Sequence, residues 1–84
     1  AGYGPLKILW ELKERGIDES MARDAIAKAI PNPKTNAARV IKQRFPNFNL
    51  DDLKEKQRAV GFLARRGFET DMAKEVLGMY SQIR

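Results

Sequence analysis

The 84-residue sequence contains no cysteine and no histidine. Their absence excludes a disulfide framework, a thiol nucleophile and the usual zinc sites. It also removes the side chain that most often acts as a general base near neutral pH. No phosphate-cradling Gly-x-x-x-x-Gly-Lys loop is present either. We therefore expect a non-enzymatic protein with no metal, no cofactor and no small-molecule substrate, and a lack of cysteine pairs is typical of the cytoplasm.

Long apolar runs are also missing, and runs such as Ile8-Leu9-Trp10 extend over only a few residues. About 20 apolar residues are needed to cross a bilayer. Residues 1–5 have neither the basic nor the apolar region of a signal peptide. The sequence therefore predicts a soluble, cytoplasmic protein that does not bind membranes.

The net charge of +5 is distributed unevenly along the chain. Residues 1–30 carry five basic and five acidic side chains, whereas residues 31–84 carry eleven basic and six acidic ones. Between Lys34 and Arg44 there are four basic residues and no acid. Such an excess is typical of contact with a polyanion or an acidic protein. A basic surface that meets only solvent would have the same composition, and both interpretations stay open.

Glycine and proline divide the chain into five predicted helices, and no segment has the pattern of a strand. Gly16, Pro31, Pro46 and Gly67 are the predicted stop signals. The predicted helices run over residues 5–15, from a cap at Asp18 to Ile30, from a cap at Asn32 to Phe45, from a cap at Asn49 to Arg66, and over residues 70–82. Short connections between them indicate an all-α bundle.

An internal repeat relates residues 12–26 to residues 63–77 at an offset of 51 positions. Each copy reads as a helix, an Arg-Gly-apolar turn, an acidic cap and a second helix. The identical pairs are Leu12/Leu63, Arg15/Arg66, Gly16/Gly67, Met21/Met72 and Ala22/Ala73. Repeats of this kind are typical of stacked helical units.

Apolar periodicity predicts which side chains form the core. The spacing within each predicted helix places one apolar face toward its neighbours. The residues expected to be substantially buried are Ile8, Leu12, Ile26, Val40, Phe45, Leu53, Val60, Leu63, Phe68 and Val76.

Two motifs in the sequence resemble motifs of the RecX family. The first is Tyr3-Gly4-Pro5-Leu6-Lys7-Ile8, followed by Leu12 and the turn Arg15-Gly16-Ile17. The second is Lys56-Gln57-Arg58 followed by Phe62-Leu63-Ala64-Arg65-Arg66-Gly67-Phe68. They resemble the second and third helical repeats of the family, in the same order and at a similar spacing.

This resemblance implies tandem three-helix repeats. On that basis residues 1–48 would form the family's second repeat, and residues 49–84 would form two helices of its final repeat. The family's first repeat would be absent from the chain. The resemblance also implies binding to RecA filaments on DNA, inhibition of recombinase, ATPase and co-protease activities in recombination and SOS repair, and weak binding to single- or double-stranded DNA.

The fourth predicted helix carries the best candidate site. Lys54, Arg58 and Arg65, with Gly61 between them, form a narrow row that we call the basic stripe. At 100° per residue the stripe lies a third of a turn or more from the apolar cluster of the same helix. Long cations beside a glycine allow close approach of an acidic surface or a phosphate backbone. An ordinary solvated helix face would look the same, and that alternative stays open.

Three further residues are candidates for partner contact. Arg39 and Lys42 share the outer face of the third predicted helix, where solvent-facing charge is the alternative. Trp10 lies on a second apolar stripe of the first helix, and tryptophan is enriched in binding hot spots. We expect Trp10 to be at least partly exposed, as a partner anchor; packing on the family's missing first repeat or on the fifth helix is the alternative. For Arg66, which belongs to the second motif and precedes a turn glycine, a structural role at the negative helix end is favoured over a recognition role, and both stay open.

Two functions from different classes remain. The first is a protein-binding modulator of a RecA-type filament. The second is a stand-alone nucleic-acid-binding module of the helix-turn-helix kind. Against the second, no helix shows an evident cluster of Asn, Gln and Arg for reading base edges.

Overall fold

The computed structural model describes residues 2–49 and 51–83, with side chains described as far as residue 79. Within these residues the chain forms five helices and no strand, so the predicted all-α class is confirmed. The helices are α1 (Pro5–Glu14), α2 (Glu19–Ala29), α3 (Pro33–Arg44), α4 (Leu53–Arg65) and α5 (Thr70–Ile83). None of the described helices is long and apolar enough to span a membrane.

The predicted helix ends are explained by local backbone chemistry. Pro5 and Pro33 stand in the first turns of α1 and α3, where a missing N–H leaves no hydrogen bond unmade. Gly16 and Gly67 end α1 and α4 at φ angles of 86° and 95°. Side chains rarely adopt such angles, and glycine does so without steric penalty. The side chain of Asp18 accepts a hydrogen bond from the Ser20 N–H, which confirms the predicted cap of α2.

The predicted start of the fourth helix was wrong. Asp52, not Asn49, is the cap of α4, and its carboxylate accepts from the N–H groups of Lys54 and Glu55. Asn49 instead accepts from the Asp51 N–H through its own side chain. That local hydrogen bond places Asn49 in a turn that precedes α4, so Asn49 does not cap the helix. The Glu55 carboxylate reaches back to the Asn49 N–H and joins this turn to the helix.

The main hydrophobic core lies between α3, α4 and α5. Its buried members are Ala37, Val40, Ile41, Phe48, Ala59, Leu63, Phe68, Ala73, Val76 and Leu77. The first two helices pack on each other instead, through the buried residues Ala22 and Ile26 of α2. The main core thus joins α3, which lies before residue 48, to α4 and α5, which follow it.

Most of the predicted core residues are removed from solvent. Ile26, Val40, Leu63, Phe68 and Val76 are buried, and Ile8, Leu12, Phe45 and Val60 are half-buried. Leu53 is the error, since 64% of it is exposed.

The exposure of Leu53 follows from its position along α4. Leu53 lies on the same face of α4 as Val60, but it is the first residue of the helix. It therefore lies about 9 Å along the axis from Ala59, the first buried residue. Helical periodicity gives the face of a side chain but not how far along the helix the core extends.

The molecule is elongated, with principal extents of 42 × 20 × 20 Å. The pair α1–α2 lies beside the α3–α5 bundle and meets it at the turn after α4, where Gly4 and Leu6 bond to Arg66 and Gly67. That contact positions the candidate site.

Candidate functional site

The two sequence motifs form a single joint in the structure. The Gly4 N–H donates to the Arg66 carbonyl at 2.6 Å, and the Leu6 N–H donates to the Gly67 carbonyl at 2.8 Å. The start of α1 is therefore hydrogen-bonded to the turn that ends α4. Donors at a helix start, which have no partner within the helix, here find acceptors in another element.

Glycine is required on both sides of this joint. A Cβ atom on Gly4 would lie 2.6 Å from the Gly67 carbonyl carbon and 2.8 Å from the Phe68 ring. A Cβ atom on Gly67 would lie 2.5 Å from the Lys7 Cβ. All three distances are well inside carbon–carbon contact, so any side chain at either position would push the elements apart.

Arg66 reaches from this joint across two aromatic rings. Its guanidinium carbon lies 4.8 Å from the centre of the Phe62 ring and 5.6 Å from that of Tyr3. The guanidinium of Arg44 lies 5.7 Å from the same Phe62 ring. Such cation–π contacts favour these side-chain directions, by about 0.5–1 kcal/mol each at exposed sites. Arg66 therefore does more than complement a helix end, the role that its sequence position favoured.

Beside these rings lies a hollow of about 370 Å³, which we call the arginine cleft. Three arginines and two residues with side-chain amides line it, and no carboxylate residue is among the lining residues in the described chain. The lining residues are Gly2, Asn36, Arg39, Val40, Gln43, Arg44, Phe62 and Arg66. Its chemistry suits an anion with several oxygen atoms, because guanidinium and amide groups supply N–H donors.

The cations of the cleft have no carboxylate partner within the described residues. The ion pairs among the described residues involve other cations: Lys13 and Arg23 pair with Glu19, and Lys34 pairs with Glu75. The hydrogen bond from Lys13, together with that from Arg23, lowers the pKa of the Glu19 carboxyl group. The cations that form ion pairs among the described residues are thus ones that do not line the cleft.

The basic stripe lies next to the cleft on α4. Lys54, Arg58 and Arg65 are exposed, as the sequence analysis expected of a polar face. The Arg65 guanidinium extends over Gly61, 3.4 Å from the point where a Cβ would be. By helical geometry Phe62 lies about 40° from Arg58 and about 60° from Arg65 around the axis. The stripe therefore borders the wall of the cleft.

The structure separates the other predicted site residues. Arg39 lines the arginine cleft, but Lys42 lines a different hollow between α3 and α5, with Lys34, Val76 and Met79 among its residues. Trp10 is 65% exposed on α1, which confirms the predicted exposure. It is not among the residues that line the cleft. Whether each of these residues touches a partner stays a prediction.

Among the polar residues that line the cleft, the sequence named Arg39 as a candidate for partner contact but did not reveal that it belongs to a cluster. Asn36, Arg39 and Gln43 are spaced three and four residues apart on α3, and all three line the cleft. The sequence analysis found no such cluster of Asn, Arg and Gln, although this spacing was the signal that could have revealed it. Arg44 and the ring contacts of Arg66 had no sequence signal, because they depend on where α1 and α4 meet.

Comparison with known proteins identifies the family. Residues 34–77, more than half of the chain, match the family model described as the third three-helix domain of RecX. The chain belongs to the RecX family. The matched residues cover α3 from its second residue, all of α4 and the first eight residues of α5, and these helices share the main core.

Curated relatives of the family support this assignment over most of the chain. The regulatory protein RecX of Xanthomonas citri is 39% identical over 69 residues, covering 82% of this chain and 43% of that protein. The regulatory protein RecX of Legionella pneumophila is 35% identical over 78 residues, covering 89% of this chain and 50% of that protein. The chain therefore spans about half the length of these relatives. No solved structure matches it.

Proposed function

We propose that this chain is the part of a RecX-type regulator that binds a RecA-type recombinase filament on DNA. Binding would inhibit the recombinase, ATPase and co-protease activities of the filament in recombination and SOS repair. The chain acts by binding alone. The observation that carries the proposal is a basic face on a member of the RecX family. Its cations are Arg39 of α3 and Lys54, Arg58 and Arg65 of α4, and none of them forms an ion pair among the described residues.

The charges of this face support binding to a large acidic partner. Lys54, Arg58 and Arg65 point to solvent, and Arg39 lies at the edge of the neighbouring cleft. Such a face raises the association rate with an oppositely charged surface. A nucleoprotein filament offers acidic side chains and phosphates in a repeating array.

The shape of the molecule supports a mechanism in which it occupies a groove. Its long dimension is 42 Å and the two shorter ones are 20 Å. An elongated body of this size can lie along a filament groove and touch more than one subunit. Bridging subunits would stabilise one filament conformation and exclude the second DNA strand.

The repeat organisation is part of the same proposal. The internal repeat aligns α1 with α4 and α2 with α5, and both turns have a glycine at positive φ. We place α1 and α2 in one repeat and α3, α4 and α5 in the next, because these three helices share a core. In this proposal the division lies between α2 and α3, whereas the sequence resemblance predicted it at residue 48.

Co-sedimentation with filaments tests the proposed function. The chain is mixed with RecA-type filaments on single-stranded DNA, with free recombinase and with naked DNA, and the bound fraction is measured. We expect strong binding to the filament, weaker binding to DNA and little to free recombinase. A chain that binds naked DNA and filaments equally would instead be the stand-alone nucleic-acid module.

A further inference from the structure

Contact between the two parts of the molecule is confined to the joint. Among the described helices, α1 packs on α2, and α3, α4 and α5 pack on one another, but neither helix of the pair packs extensively on the bundle. None of the described residues of α1 is buried. A hollow of about 270 Å³ lies beside the joint, and its lining includes Pro5, Arg23, Pro33, Gly67 and Met72. The pair is therefore held on the bundle by the hydrogen bonds of the joint rather than by a shared core.

The segment that connects the two parts has few free torsions. It runs over residues 30–32, between the end of α2 and Pro33 at the start of α3. Pro31 and Pro33 have fixed φ angles, and each restricts the residue before it to extended conformations. Pro31 also lines the same hollow as Pro5, so the segment lies beside the start of α1. A rotation within this segment would separate the partners of the joint and leave each helix intact.

The ring of Tyr3 links the two parts on the outside of the joint. The Lys7 Nζ atom of α1 lies 4.9 Å from the ring centre, and the Arg66 guanidinium carbon lies 5.6 Å from it. Tyr3 is exposed, so each of these contacts is weak. Lys7 and Arg66 carry like charges that face one ring, and their repulsion opposes the closed arrangement. An interface held by so few weak contacts opens locally more easily than the core unfolds.

We propose that the joint opens and closes while the helices stay folded, and that only its closed form places Trp10 and the basic stripe correctly for one filament. This inference rests on the proposed function. Trp10 lies on α1 and the stripe lies on α4, so the joint sets the distance between them. A rotation of about 30° would move Trp10, about 9 Å along α1 from Gly4, by about 5 Å. Gly4 is thus a positioning residue that acts on filament binding through the placement of Trp10.

The N–H groups of Gly4 and Leu6 report the state of the joint directly. No carbonyl within α1 can accept from the start of the helix, and the described acceptors of these two groups are Arg66 and Gly67. We expect NMR hydrogen exchange to show both protected about 10- to 1000-fold relative to an unstructured peptide, since a minor open state is populated at about 0.1–10%. The Leu63 N–H in the core should be protected far more strongly. Equal protection of all three groups, or no protection at the joint, would overturn the proposal.

The variant Gly4→Ala opens the joint without straining the backbone. Gly4 has a φ angle of −93° and a ψ angle of 173°, which any residue adopts. A Cβ atom there would lie 2.6 Å from the Gly67 carbonyl carbon, so the clash exists only in the closed form. The matched control is Gly78→Ala, because no neighbouring atom of the described residues lies within 4 Å of that Cβ position. We expect Gly4→Ala to remove the protection of the Leu6 N–H with little loss of helical circular dichroism, and the control to keep both.

Co-sedimentation with RecA-type filaments on single-stranded DNA tests whether binding needs the closed joint. Apparent affinity is proportional to the closed fraction, so a Gly4→Ala chain closed in about one tenth of its molecules should bind about tenfold more weakly. Gly78→Ala should bind as the unaltered chain does. Tyr3→Ala is a milder second variant that cannot clash, and Tyr3→Phe is its control because it keeps the ring. Full affinity in Gly4→Ala and Tyr3→Ala, with the joint shown to be open by hydrogen exchange, would overturn the proposal.

A double-variant comparison separates positioning from a general loss of stability. Trp10→Ala removes the contact whose placement the joint controls, so adding Gly4→Ala to it should weaken filament binding by much less than tenfold, because effects that act through one contact are not additive. Equal effects of Gly4→Ala with and without Trp10 would overturn the positioning role and leave the proposed function standing. Failure of the proposed function looks different, since the unaltered chain would then bind no filament although hydrogen exchange still showed a joint that opens.

Discussion

Gly67 lies directly against the backbone of Lys7, while the equivalent glycine of the repeat, Gly16, has no neighbour within 4 Å of its Cβ position. Both residues have positive φ angles and follow an arginine at the end of a helix. Only the later turn is covered by the start of α1. Both turns thus need a residue with a positive φ angle, but only the turn at Gly67 also has no space for a side chain.

Alanine substitution of each glycine should distinguish the cost of the positive φ angle from the cost of the steric clash with α1. Gly16→Ala should lower the free energy of unfolding by about 1–2 kcal/mol, the strain of a left-handed residue. Gly67→Ala should lower it further, because it also strains the hydrogen bonds of Gly4 and Leu6, each worth about 0.5–1.5 kcal/mol. Urea unfolding followed by circular dichroism measures both. Equal losses would show that the joint adds nothing to stability.

Phe48 is a buried residue that helix periodicity could not find. It lies between α3 and α4 and is 1% exposed. Phe48→Ala should destabilise the chain by about 3–5 kcal/mol, since it removes a large ring from the core. Leu53→Ala serves as the matched control, because Leu53 is 64% exposed and should change stability by less than about 0.5 kcal/mol. Similar losses in thermal unfolding would contradict the described core.

The fluorescence of Trp10 reports its environment without a label, because it is the only tryptophan. At 65% exposure we expect a red-shifted emission maximum and efficient quenching by acrylamide in the free chain. A blue shift on adding filaments would support an anchor role for Trp10. A blue-shifted maximum that resists acrylamide in the free chain would contradict the exposed position.

Fold class and helix number could be predicted because they depend on local signals. Pro5, Gly16 and Gly67 stop or start helices through their own backbone restrictions, whatever packs around them. Leu53 was misplaced because its burial depends on how far the core extends along α4. Phe48 was missed because no periodicity applies to a connection between helices.

The candidate site was predictable only in part. The exposure of Lys54, Arg58 and Arg65 follows from helical spacing within one element. The arginine cleft instead needs α3, the end of α4 and the start of the chain to meet, and it is closed by Gly2 near Arg66. Contacts between elements distant in sequence have no signature in local periodicity, and the role of Arg66 was missed for that reason.

Charge reversal of the basic stripe tests the central claim most directly. The variant K54E/R58E/R65E is compared with R15E/K28E/K74E, which reverses three exposed cations outside the stripe. Binding to RecA-type filaments on single-stranded DNA is measured by co-sedimentation, with helical circular dichroism recorded for each variant. We predict that the stripe variant loses filament affinity by about 100-fold or more, the loss expected when attraction becomes like-charge repulsion at several positions. The circular dichroism signal should stay nearly unchanged and the control should bind far better. Unaltered affinity in the stripe variant would contradict the account and show that these residues only face solvent.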